Sequence, residues 1–270
     1  MVRKIYFPVS PEPLTPFRRG GLESFQLEVL MADLSTITQA LVQSLELHYQ
    51  PVGVRLFQKA DRLPAGIPFV EESFKSYCQA LVLAGEGRTL LLKRENMGCK
   101  LGTSVLGMEE DMEAFLDDGV LEKYGVGLFA TEEASAETLL KSTYLEKGKT
   151  QAALIAPLSV FQETPQVVVF TADSEQVMWL LYAVNYEKGG RQDLPQSGGA
   201  LGGCADITAW PLLEGQANVT FLGLGCRVKS AIDACHLMLG LPGSMLDQVH
   251  KNILAMAKPI AMLKKARPKN

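Results

Sequence analysis

Four of the five cysteines fall into two pairs of nearly equal span: Cys78 and Cys99 lie 21 positions apart, and Cys204 and Cys226 lie 22 apart. Thiolates are the preferred ligands of zinc and of iron–sulfur clusters, and four is the usual number. Cys78, Cys99, Cys204 and Cys226 are therefore candidate metal ligands, with an iron–sulfur cluster or zinc as the implied cofactor. The chain contains neither a C-x-x-C knuckle nor a ferredoxin run, so tertiary structure would have to gather the four. A second use is chemistry without a metal. Cys99 and Cys226 each follow a glycine and precede a base, Lys100 or Arg227, and nearby positive charge lowers a thiol pKa. A reactive thiolate at either position would serve a metal-free small-molecule binding protein or enzyme. Free cysteines also fill cores, and Cys78, on an apolar helical face, fits that use as well.

Around these thiols, Gly98, Gly203, Gly225 and Arg227 are candidate cofactor-binding residues, the glycines because they admit close backbone approach and the arginine as an adjacent base. No residue is assigned a catalytic role. His48, His236 and His250 have no recognisable ligand spacing and read as surface or structural, with His250 in the polar part of its helix pattern. Cys235 reads as core, and it and its neighbour His236 are expected to point apart. The glycine-rich stretch 197–203 lacks the G-K-[ST] ending of a phosphate loop and reads as a tight packing segment. Trp179 and Trp210 read as core.

The elements that must position these residues are α-helices and strands without a clean βαβ rhythm, an α+β pattern with a mixed sheet and packed helices. Leu34, Ile37, Leu41 and Leu45 predict a helix over about 29–48. A strand over 52–57 follows, then a helical face from Val70 through Phe74, Tyr77, Cys78, Leu81 and Val82. Residues 89–92 read as a strand and 96–102 as a loop carrying Cys99. Helices are predicted over 109–116, from Thr131 to about Lys141, and from Asp173 onward; strands are predicted at 152–157, 167–170 and 218–222. One terminal helix, with Ser244 and Asp247 as a capping box, is expected to kink or end at Pro259. Residues 1–28, with four prolines, read as an N-terminal arm; residues 29–270 form a single α+β domain.

The paired cysteines sit in a repeated order of strand, helical stretch, cysteine, strand, and Gly-Cys followed by a base. An internal duplication would leave that order, with repeats at about 50–107 and 165–235 related by a pseudo-two-fold axis. The stretches Pro51-Val-Gly-Val-Arg-Leu-Phe57, Tyr77-Cys78-Gln79-Ala80, Gly98-Cys99, Gly203-Cys204-Ala205-Asp206 and Gly225-Cys226-Arg227 resemble the signature segments of domain-of-unknown-function family 169. The resemblance runs from about Leu41 onward. It implies cysteines recurring in this order, and it brings no agreed activity with it. The family's glycine-rich motif after the second cysteine stands here as Cys99-Lys100-Leu101-Gly102, without the usual proline and double glycine.

Composition narrows the partners. The 270 residues are 47% hydrophobic and 21% charged, ordinary for a globular chain that needs no staples to fold. A net charge of −4 with no basic stripe argues against nucleic acid. No apolar run approaches the roughly 18 residues of a membrane span, and the prolines of the first 17 residues break any secretory apolar segment. A cytoplasmic location is expected, where thiols stay reduced. A small molecule or a metal is the expected ligand. The N-terminal arm is a candidate docking element for a protein partner or a second copy.

Overall fold

The computed structural model describes residues 33–108, 127–197 and 200–266. The N-terminal arm and the predicted helix at 109–116 lie outside the described residues. Six strands form one antiparallel sheet: β1 (Val52–Gln58), β2 (Leu90–Leu92), β3 (Thr150–Pro157), β4 (Val167–Asp173), β5 (Asn218–Thr220) and β6 (His236–Pro242), in the order β2-β3-β1-β4-β6-β5. The sheet is thus antiparallel throughout, within the expected α+β class.

Strand alternation sorts side chains onto two faces. Val52, Val54, Leu56, Val167, Val169, Ile155 and Met238 face one helical layer: α2 (Tyr77–Gly85), α3 (Lys100–Val105), a π-helix (Gly202–Ala209) and its extension, which also contribute Cys78 and Cys204 to that core. On the opposite face Val168, Phe170, Leu239 and Leu241 meet α1 (Leu34–Leu45) and a later helix pair. Gly53 turns toward that second face, where a Cβ would overlap the ring of Phe161.

Local chemistry explains most boundaries. Asp33 caps α1 by accepting from the Thr36 N–H at 2.8 Å, and Ile37, Leu41 and Leu45 are buried at the predicted spacing. Thr131 caps α4 (Glu132–Leu140) as expected, and Asp173, expected to start a helix together with Glu175, does so on α5 (Ser174–Asn185) through a full capping box with Gln176. The helix bearing Cys78 begins later than predicted. Ser76 caps it, while Val70 and Phe74 lie in extended chain, the Val70 N–H donating to Leu91 O and Phe74 bridging Met97. Cys99 is not in a loop running to Gly102 but stands at the N-cap position of α3, without a side-chain capping bond.

Two larger departures lie toward the C-terminus. β6 was not expected: His-Leu-Met-Leu-Gly-Leu-Pro is a near-continuous apolar run, buried on both faces, whose periodicity does not separate strand from helix. The terminal helix is two helices, α8 (Leu246–Ala255) and α9 (Ala257–Ala266), divided at Met256. Met245 stands at the α8 cap position without a side-chain bond, so Ser244 does not cap it; Pro259 sits in the first turn of α9, where a missing N–H costs little. Trp179 is buried as expected, whereas Trp210, at the start of the short helix α6 (Trp210–Glu214), is only half-buried.

The π-helix lies directly on β6. A Cβ at Gly240 would overlap the Ile207 carbonyl, one at Gly202 the Thr220 hydroxyl, and one at Gly203 the Cys78 sulfur. Overpacking a close contact typically costs about 1–3 kcal/mol. Gly240→Ala should therefore lower unfolding stability by about 2 kcal/mol in urea titrations, with the loss concentrated in hydrogen-exchange protection of the π-helix. Unchanged stability would mean that the π-helix rides loosely on the sheet.

Candidate thiol site

Cys78 is the second residue of α2 and is buried. The Tyr77 hydroxyl is hydrogen-bonded to Thr208 Oγ1 at 3.0 Å; because Thr208 donates its own proton to Gly203 O at 2.9 Å, Tyr77 is the donor. This chain of bonds ties α2 to the π-helix that carries Cys204. Cys99 reaches the same region because the Gly98 N–H donates to Phe74 O at 2.7 Å, holding its loop against the entry to α2. A Cβ at Gly98 would stand 3.1 Å from that carbonyl, so the glycine permits the approach. Cys226 is the third residue of α7 (Leu224–Ser230), which packs against α2.

All four predicted thiols line one cavity of about 310 Å³, with mostly apolar walls that include Leu101, Leu139, Leu201 and Leu222. Leu201 and Leu222 adopt left-handed backbone at φ 54° and 62°, a conformation that costs a non-glycine residue of order 1–3 kcal/mol. Both lie on the cavity wall. The Leu201 carbonyl accepts the Cys204 thiol at 3.4 Å. The Leu222 N–H donates to Thr220 Oγ1, whose hydroxyl donates to Asp206. Asp206 also accepts from the Ser197 N–H and hydroxyl, at 3.1 and 2.6 Å, and so anchors the approach to the glycine-rich stretch. Burial raises the Asp206 carboxyl, against the pull of its Ser197 and Thr220 bonds.

The thiols are electrostatically unequal. Cys226 is pulled down to about 7, first by the hydrogen bond it receives from Cys78, then by the N–H groups of Gly203 and Gly223 and the charge of Lys229; burial opposes the shift. Cys78 moves up because ionisation would forfeit its bond to Cys226, and burial and the other three thiols push the same way. Burial raises Cys204, with Cys226 and Cys99 adding to it. Among the described residues, no three His, Cys, Asp or Glu side chains are gathered to hold a metal ion.

The companion residues divide. Gly225 lines the cavity, and Gly203 aims its N–H at Cys226 while leaving room for Cys78. Gly98 shapes the Cys99 loop from outside the cavity. Arg227 also stands outside, its guanidinium donating to the carbonyls of Phe221, Asp233, Ala234 and His236. The cation on the cavity wall is Lys229. It lies one helical turn after Cys226, a relation visible only once 224–230 is read as helix.

Cys235 is exposed, because it lies in the turn before β6 and not within a packed element. Its sulfur does meet the neighbouring side chain, lying 3.7 Å from His236 Nδ1; irregular backbone at the strand entry removes the divergence expected of a regular element. His250, expected on a polar face, is among the buried residues of α8, and burial lowers its pKa.

The family model for domain of unknown function 169, described as uncharacterised ArCR, matches residues 40–252. The chain belongs to this family. An uncharacterised protein of Methanocaldococcus jannaschii, MJ0308, is 26% identical over 199 residues, covering 73% of this chain and 84% of the relative. No solved structure matches the chain. No helix among the described residues is long and apolar enough to cross a membrane.

Two outcomes follow from the geometry. Metal-free protein should be alkylated at Cys226 at a rate that rises with pH through about 7, because the thiolate is the nucleophile; Cys78→Ala should move that midpoint upward, and peptide mapping after pulsed alkylation reads both. Arg227→Ala should destabilise the fold by about 2 kcal/mol through lost charge-assisted bonds to carbonyls, measured by urea unfolding.

Proposed function

We propose that this DUF169 protein holds an iron–sulfur cluster, or another thiolate-ligated metal, on Cys78, Cys99, Cys204 and Cys226. The observation that supports this reading is the arrival of four thiols, from four separate segments, at one apolar cavity of about 310 Å³. The donor chemistry fits: every candidate ligand is sulfur, the walls are apolar, and Lys229 with the Gly203 and Gly223 N–H groups offsets negative charge beside Cys226. A single tetrahedral ion would draw the sulfurs to within roughly 3.8 Å of one another. Among the described residues no three ligands are gathered in that way, so the four segments would have to close on the group as it loads. Such a group supplies one-electron transfer, at a potential tuned by burial and by hydrogen bonds to sulfur.

The chain's own residues set the conditions for loading. Cys226 gives up its proton most readily, whereas Cys78 and Cys204 hold theirs and must release them to become ligands. Loading is therefore favoured as pH rises. Gly203 and Gly225 contribute to the site through backbone, Gly98 by setting the Cys99 loop, and Arg227 by bracing α7. We also read the strand order as an internal duplication: outward from the central β1–β4 pair it runs β1-β3-β2 on one side and β4-β6-β5 on the other. The reading suits a reducing cytoplasm, in which the thiols remain free.

Protein purified without oxygen should carry iron and acid-labile sulfide, with charge-transfer absorbance in the visible. Cys78→Ser, Cys99→Ser, Cys204→Ser and Cys226→Ser should each lower metal content, and Cys235→Ser should leave it unchanged. Equal metal content in wild type and all four site variants, with native circular dichroism, would overturn the assignment.

A further inference from the structure

The wall of the cavity formed by residues 128–139 carries no sulfur. It presents Leu128, Phe129, Ser135 and Leu139, whereas the four cysteines stand on α2, α7, the π-helix and the α3 cap position. Ser135 and Leu139 are the two buried residues of α4, one turn apart, and both line the cavity. The serine is out of keeping with its neighbours. Thr138 and Ser142 return their hydroxyl protons to carbonyls four residues back, at 3.0 and 2.9 Å, but Ser135, only 3% exposed, makes no side-chain hydrogen bond among the described residues. A buried hydroxyl without a partner is unfavourable, and a ligand group that accepted its proton would remove that penalty. The remaining oxygen and nitrogen groups on the wall favour the same kind of ligand. Ser76 Oγ accepts the Gln79 N–H at 3.1 Å and keeps its own proton to donate, the Tyr77 hydroxyl is engaged by Thr208, and Lys229 brings positive charge. No aspartate or glutamate lines the cavity among the described residues.

We propose that the cavity binds a small organic carboxylate, its carboxylate accepting from Ser135 and its apolar body lying against Leu101, Leu139, Leu201 and Leu222. The size and lining suit such a ligand. At about 310 Å³ the space stands at the small end of ligand pockets, which run from roughly 300 to 1,000 Å³ and pair apolar walls with a few placed polar groups. Leu128 and Leu224 line the cavity while remaining exposed, so an apolar molecule can enter past side chains of its own kind. Inside, the low-dielectric surroundings strengthen a hydrogen bond to a charged oxygen and exclude the water that would compete for it. Lys229 supplies the charge of opposite sign on the same cavity wall, so the anion does not enter uncompensated. The inference goes beyond the metal reading and does not rest on it, because the serine and the sulfurs come from different segments.

The test uses the full chain, reduced and stripped with a chelator, titrated calorimetrically with sodium hexanoate, 1-hexanol and sodium acetate. Hexanoate should bind saturably, about tenfold more tightly than 1-hexanol, which lacks the charge, and acetate, which lacks the apolar body, should bind more weakly still. Ser135→Ala should weaken hexanoate about tenfold and 1-hexanol less. Bound hexanoate should also slow iodoacetamide alkylation of Cys99 and Cys226, on the cavity wall, and leave exposed Cys235 unprotected. If Ser135→Ala fails to fold, the wild-type selectivity and the protection pattern decide. Absence of saturable hexanoate binding, equal affinity for hexanoate and 1-hexanol, unchanged hexanoate affinity in folded Ser135→Ala, or no protection of the cavity thiols would each overturn the proposal. Metal content measured before stripping reports separately on the metal reading, so the two can fail independently.

Discussion

The Ile207 carbonyl rests on the Cα of Gly240 in the middle of β6, and this contact sets the height of the π-helix above the sheet. Most of the candidate site depends on it. At that height the π-helix reaches α2 along its length, so that Gly203 meets Cys78 and Thr208 meets the Tyr77 hydroxyl. Any side chain at Gly240 would lift the helix and separate Cys204 from the other thiols. A π-helix carries poorer hydrogen-bond geometry than an α-helix and is found disproportionately at functional sites. Here its wider turn is accompanied by left-handed backbone at Leu201 on entry, so strain is concentrated on the wall of the thiol cavity.

Burial then decides the protonation of the site. Four thiols in an apolar cavity cannot all ionise without compensation, because each added charge is poorly solvated and repels the rest. The shifts are uneven: the Cys78 bond, then the Gly203 and Gly223 N–H groups and Lys229, draw Cys226 down to about 7, whereas the bond to Cys226 raises Cys78 and burial raises Cys204. Asp206, close enough to raise Cys204 further, is itself moved up by burial while engaged by Ser197 and Thr220. Its part is to fasten β5, the π-helix and the 197 segment together, not to add a ligand to the cavity.

How far the sequence revealed this depends on whether a feature was local. Caps were legible: Asp33, Thr131 and Asp173 start the helices their side chains predict, since one side chain and one N–H decide the matter. The four cysteines of the cavity were legible as a set from spacing alone. Features made by contact between distant segments were not. β6 was hidden in a doubly buried apolar run, and Lys229 was overlooked because the α7 turn that brings it beside Cys226 was not recognised; Arg227, adjacent in sequence, turns outward to four carbonyls. Cys235 seemed core by residue type, but a residue in a turn is placed by its backbone whatever its side chain prefers.

The arrangement of the strands explains why spacing was informative at all. β1 and β4 pair antiparallel at the centre, Gly53 opposite Val168, and each is followed in the chain by a helix-bearing segment, an outer strand and then a cysteine-bearing helix start. β2 and β5 end the sheet on opposite edges, and after each the chain turns back over the same face, delivering Cys99 from one side and Cys226 from the other. Equal intervals in sequence thus become convergence in space. The two cysteine-bearing stretches differ in local structure. Cys78 sits in a regular α-helix and Cys204 in a π-helix, and among the described residues lining the cavity the cation, Lys229, stands on the Cys226 side. Four sulfurs on one cavity wall thus meet an uneven supply of donors, and it is Cys226 whose acidity that supply raises.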